Sequence, residues 1–138
     1  MRRKNLRRKT MAINIVRIRR TGGQPSIELE FGFAQFAQYR IFLWDITGKN
    51  PTQIGHGVNV DNVPDICPIN EPVAELEGRF ITWQAVVASP TGGAGQQYSM
   101  RATFTQDGDT CPDSPFLRKG ALNPDPLIAF DRAKIQLV

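Results

Sequence analysis

Two stretches of the chain alternate apolar and polar residues without a break. Ile27, Leu29, Phe31 and Phe33 share one parity, with Glu28, Glu30 and Gly32 between them. Tyr98, Met100, Ala102 and Phe104 do the same against Ser99, Arg101, Thr103 and Thr105. A period of two over seven or more residues predicts a strand with one buried face, and helical spacing fits neither stretch. Each stretch follows a glycine-rich turn: Thr21-Gly22-Gly23-Gln24-Pro25 in the first case, Ser89-Pro90-Thr91-Gly92-Gly93-Ala94-Gly95 in the second. Glycine tolerates the positive φ that tight turns demand, so two antiparallel hairpins are predicted, 13–19 with 26–33 and 80–88 with 97–105. On the first hairpin, Glu28 and Glu30 would face Arg17, Arg19 and Arg20 across the strands.

Residues 40–46 follow another pattern. Ile41 and Leu43 point to one face, and Phe42, Trp44 and Ile46 to the other. A strand apolar on both sides is either a central strand covered twice or one that a partner covers, which makes Phe42, Trp44 and Ile46 interface candidates. Residues 53–60 read as a short strand within a segment rich in Gly, Pro, Asn and Asp, and 71–78 as a helical turn. At the end of the chain, Asp125-Pro126 could open a helix. The alternation of 133–137 favours a closing strand instead. The whole predicts an all-β fold: an antiparallel β-sandwich, immunoglobulin-like or jelly-roll-like, of seven to eight strands, with a small barrel as the alternative.

A length of 138 residues suits a single domain, and 41% hydrophobic with 22% charged residues is a globular composition. No apolar run approaches the ~20 residues of a membrane-spanning helix, so stable membrane insertion is not expected. The charge is unevenly placed. The chain carries +4, yet Arg2, Arg3, Lys4, Arg7, Arg8 and Lys9 stand together without an acid, and the remainder is mildly acidic. This divides the chain into a basic arm, 1–11, and a β-sandwich domain, 12–138. The apolar run after the arm is interrupted by Asn14 and ended by Arg17, so no export signal is legible and a cytoplasmic assembly is favoured. Met11 is an alternative start. The arm suits a polyanion, a non-specific nucleic acid or an acidic groove on a partner subunit, and with no aromatic residue it offers no base stacking.

Catalytic chemistry is sparse. The single histidine, His56, stands between Gly55 and Gly57, and none of Ser26, Ser89, Ser99 or Ser114 occupies a recognisable nucleophile motif. It reads as a loop residue between flexible glycines, with a small hydrolase using His56 and an aspartate as a remote alternative. Cys67 and Cys111 share an Asp-x-Cys-Pro context and form a candidate disulfide. The missing export signal favours two unlinked thiols. Asp107, Asp109 and Asp113 are loosely spaced calcium candidates, against a reading as solvated turn aspartates. Trp44, Trp83, Tyr39 and Tyr98 could serve a carbohydrate-binding module if exposed, although their strand positions favour core packing. No cofactor is implied. The leading expectation is a non-enzymatic structural or interaction module that forms a homo-oligomer or joins a larger assembly.

Overall fold

Burial follows the alternation along the chain. In the last strand every second side chain from Ala129 to Leu137 is buried, while those between stay exposed. The computed structural model describes residues 13–33, 36–61, 63–90, 96–123 and 125–138. Within them ten strands form: β1 Ile15–Ile18, β2 Ser26–Gly32, β3 Phe36–Leu43, β4 Thr52–Asn59, β5 Asp65–Pro68, β6 Phe80–Ala88, β7 Gln97–Gln106, β8 Asp109–Thr110, β9 Phe116–Ala121 and β10 Leu127–Leu137. A 3₁₀ turn, Val73–Glu75, fills the expected helical position.

The strands make two sheets that pack as a β-sandwich. The first runs β1-β10-β6-β3-β4; the second runs β5-β2-β7-β8, with β9 also on β7. The sheets do not close into one barrel, and the described strands number ten rather than seven or eight. β1 lies parallel to β10, and the other described pairings are antiparallel.

Neither expected hairpin forms. β1 belongs to the first sheet and β2 to the second, and the same holds for β6 and β7. The turn 21–25 carries the chain from one sheet to the other; residues 91–95 of the second glycine-rich stretch lie outside the described residues. Alternation shows which side of a strand is buried, but an arch across a sandwich buries the same sides as a hairpin does. The glycines of the first turn have another role as well. A Cβ on Gly22 would sit 2.5 Å from the Gln106 Nε2, and one on Gly23 2.5 Å from the Asp107 Oδ1. Close approach, not positive φ, demands glycine there.

Gln106 explains that approach. Its buried side chain accepts a bond from the Arg19 amide at 2.8 Å and donates to the carbonyls of Arg19 at 3.0 Å and Gly23 at 2.8 Å. The turn between the sheets is thereby tied to β7. The expected pairs between Glu28 or Glu30 and the arginines of β1 are absent. Glu30 lies opposite Arg101 on β7; Arg17 pairs with Asp113, Arg19 with Asp107 and Arg20 with Glu77.

The core lies between the sheets. Trp83 of β6 packs against Phe104 of β7 and Phe116 of β9, with ring centres 5.8 and 6.1 Å away. Ile27, Leu29, Phe31, Ile41, Leu43 and Met100 are fully buried around this group. Full burial of such side chains is worth roughly 1.5–3 kcal/mol each. On one flank Asp131, buried on β10, bridges the sheets: it accepts from Asn14 Nδ2 at 3.1 Å and lies 3.6 Å from Arg118 Nε on β9.

Candidate functional site

The two outer faces of the sandwich differ. On the second sheet the central strands present Ser26, Glu28, Glu30, Ser99, Arg101, Thr103 and Thr105, a polar set of mixed charge. On the first sheet, strand register places Val58, Gln38, Val86 and Ile128 in one row, then His56, Arg40, Gln84 and Phe130, then Gln53, Phe42, Thr82 and Arg132. Lys134 follows opposite Phe80. No outward strand residue of this face is acidic, and Arg40, Arg132 and Lys134 make no ion pair among the described residues.

This face divides along its strands. One end is largely aliphatic: Ile128 is 70% exposed with Val86 beside it, and Val58, 65% exposed, stands on the far side of Gln38. The other end is aromatic and basic. Trp44 continues β3, its amide donating to the Phe80 carbonyl at 2.8 Å and its indole Nε1 to Thr82 Oγ1 at 2.9 Å. These two bonds hold the ring against the sheet. The Phe80 ring has the Arg132 guanidinium carbon 5.9 Å and the Lys134 Nζ 6.0 Å from its centre, within cation–π range. Trp44, Gly48, Phe80, Thr82, Phe130 and Arg132 enclose an open depression of about 390 Å³.

The doubly apolar strand is therefore covered once. Ile41 and Leu43 enter the core, whereas Phe42 and Trp44 lie half-buried on the outer face. Ile46 is exposed beyond the end of β3, in a turn organised by Asp45. Asp45 Oδ1 accepts from the Thr47 hydroxyl at 2.6 Å and from the amides of Thr47 and Lys49 at 3.0 and 2.8 Å; Oδ2 accepts from Asn50 Nδ2 at 2.7 Å. These bonds, the Thr47 hydroxyl first among them, pull the carboxyl down to about 2.

The remaining candidates do not converge. The arm residues Arg2, Arg3, Lys4, Arg7, Arg8 and Lys9 lie outside the described residues. His56 is in a strand, not a loop, and opposes Arg40 on the exposed face. No described side chain hydrogen-bonds to it. The flanking glycines make room for side chains: a Cβ on Gly55 would lie 2.5 Å from Cys67 Sγ, and one on Gly57 2.6 Å from the Tyr39 hydroxyl. Tyr39 is buried, and that burial together with its hydrogen bond to Asp65 pushes its phenol far up. Trp83 is likewise core, and Tyr98 is half-buried against it.

Cys67 and Cys111 are free thiols. Cys67 pairs with Ile27, Ile27 with Phe104, and the Cys111 amide donates to the Phe104 carbonyl. The two cysteines thus stand three strand spacings apart, roughly 14 Å, twice the reach of a disulfide. Burial pushes both thiols up. The calcium candidates do not share a site: Asp109 is exposed on β8, opposite Gln106, and the other two are separately engaged. Asp107 binds the Gly23 amide and Arg19, and Asp113 binds Arg17. Among the described residues no three metal-binding side chains cluster.

Sequence reading missed Gln106, Asp131 and the Phe80–Arg132–Lys134 group. The outward parity of Phe130, Arg132 and Lys134 was the available signal for the last, legible once 127–137 is taken as a strand. No family model, curated protein or solved structure matches the chain.

Proposed function

We propose that this chain is a non-enzymatic interaction module that associates with copies of itself through the outer face of its first sheet. The observation that carries the reading is the contrast between the two outer faces. Polar side chains cover the middle of the second sheet, where exposed Ile66 and Leu117 stand apart on its flanking strands, while Val86 and Ile128 form an adjacent exposed aliphatic pair on the first, with Val58 beyond Gln38 in the same row. Water contact with such a row is unfavourable, and a matching row on a second copy removes it. The basic stretch 2–9 adds a contact for a polyanion or a partner subunit.

Light scattering on a sizing column tests this. The wild-type chain is expected to run as a defined oligomer at high concentration, and the paired change Val86→Glu, Ile128→Glu to run as a monomer. Circular dichroism establishes that the variant keeps its β structure. A wild-type chain of 15.4 kDa that stays monomeric at every concentration overturns the proposal.

A further inference from the structure

The aromatic, basic end of the same face has a chemistry of its own. We infer that it binds single-stranded nucleic acid, with bases against Trp44, Phe80 and Phe130 and phosphates on Arg40, Arg132 and Lys134. The inference rests on reading the outer face of the first sheet as the working surface, but not on self-association.

Four observations converge on this ligand. The three cations lack carboxylate partners among the described residues, so their charge is available to an anion. Arg132 and Lys134 are held over the Phe80 ring, at 5.9 and 6.0 Å, which places positive charge beside an aromatic surface rather than apart from it. A nucleotide presents this pairing, a flat ring joined to a phosphate. The depression of about 390 Å³ is open to solvent and large enough for one such unit. Phe130 is 46% exposed, available to a base without moving the core.

The alternative of an acidic peptide fits less well. Extended peptides commonly bind by adding a strand to a free sheet edge. Here β6 and β3 are paired on both sides, so their backbones offer no edge, and the face presents side chains alone. Stacking needs unpaired bases, and a five-stranded sheet is broader than the helix or two-stranded ribbon that the major groove admits, so single strands are favoured over duplex. Stacking on Phe80, Phe130 and Trp44 is available to every base, which predicts weak sequence preference.

The test separates this face from the basic arm. A full-length variant with Arg2, Arg3, Lys4, Arg7, Arg8 and Lys9 all changed to Gln is titrated with a fluorescein-labelled oligothymidylate of about 12 nucleotides, within the usual site size. Anisotropy reports binding, and quenching of tryptophan fluorescence reports contact at Trp44, because Trp83 is buried. The arm-neutralised chain is expected to bind and to be quenched. Adding Arg132→Ala and Lys134→Ala should lower the salt slope by about 1.4, two phosphates' worth of counterions. Phe130→Ala alone should weaken binding roughly tenfold. A duplex of equal length should bind more weakly.

Loss of binding in the arm-neutralised chain, or wild-type affinity retained when Arg132→Ala and Lys134→Ala are made with the arm intact, overturns the inference. So does equal affinity for polyglutamate, which would assign the face to acidic proteins. If the oligonucleotide fails but Val86→Glu, Ile128→Glu still dissolves an oligomer, only this inference falls. If the wild-type chain is monomeric while the oligonucleotide binds as expected, only self-association falls.

Discussion

Trp83 combines the largest packing contribution in the core with a cost. Its ring is fully buried against Phe104 and Phe116, yet its indole Nε1 has no hydrogen-bond partner among the described residues. An unpaired buried donor costs about 1–3 kcal/mol. Trp83→Phe removes that donor and keeps an aromatic ring, so urea unfolding should place it within about 1 kcal/mol of the wild type, whereas Trp83→Ala should lose about 3–5 kcal/mol. Equal losses in the two variants would mean that the indole N–H has a partner. Asp45 makes a prediction of another kind. Its carboxyl, held at about 2 against an ordinary 3.8, favours the fold when ionised. That contribution is complete above pH 4 and disappears as pH falls toward 2. A carboxyl NMR titration should give a midpoint near 2 for this residue, and faster exchange of the Thr47 and Lys49 amides below it. A midpoint at the ordinary value would mean the turn is not held by these bonds.

The flank where β4 meets β5 shows what alternation cannot carry. Gly55 and Gly57 read as flexible punctuation around His56, yet they are strand residues whose missing side chains admit Cys67 Sγ and the Tyr39 hydroxyl. A single sequence does not reveal which neighbour lies over a glycine, because that neighbour comes from another strand. Gly55→Ala should cost about 1–3 kcal/mol through overpacking, and adding Cys67→Ala should recover most of it. Additive losses in a double-mutant cycle would show that the thiol does not occupy the space. By contrast, the inward faces of β2, β7 and β10 were legible from spacing: Ile27, Leu29 and Phe31 in one, Met100, Ala102 and Phe104 in another, and Ala133, Ile135 and Leu137 in the third. Phe33, of the same parity as Phe31, is the exception: it lies past the end of β2 at a φ of 62°, which breaks the alternation and leaves it 62% exposed. Periodicity is local, and burial on one face is what it records.

Across the whole molecule, sheet membership was the information that the sequence did not expose. Thr21–Pro25 looks like a hairpin turn, and the bonds that make it a bridge between sheets come from Gln106, far along the chain. The candidate site was partly legible for the same reason. Phe42 and Trp44 announce an apolar outer side, but their company with Phe80, Phe130, Arg132 and Lys134 depends on β3, β6 and β10 being neighbours. Phe42 and Lys134 lie on strands that reach each other only across β6.

The position of β10 has a consequence for how the molecule is born. It lies inside the first sheet, between β1 and β6, although it is the last of the ten strands to be synthesised. On the ribosome, β1 emerges first and has no partner until β10 follows it, and one edge of β6 stays unpaired over the same interval. The nascent chain must therefore hold Val16 and Ile18, both destined for full burial, in water until nearly all the described strands exist. Completion of the first sheet is tied to the end of translation of this domain rather than to its beginning.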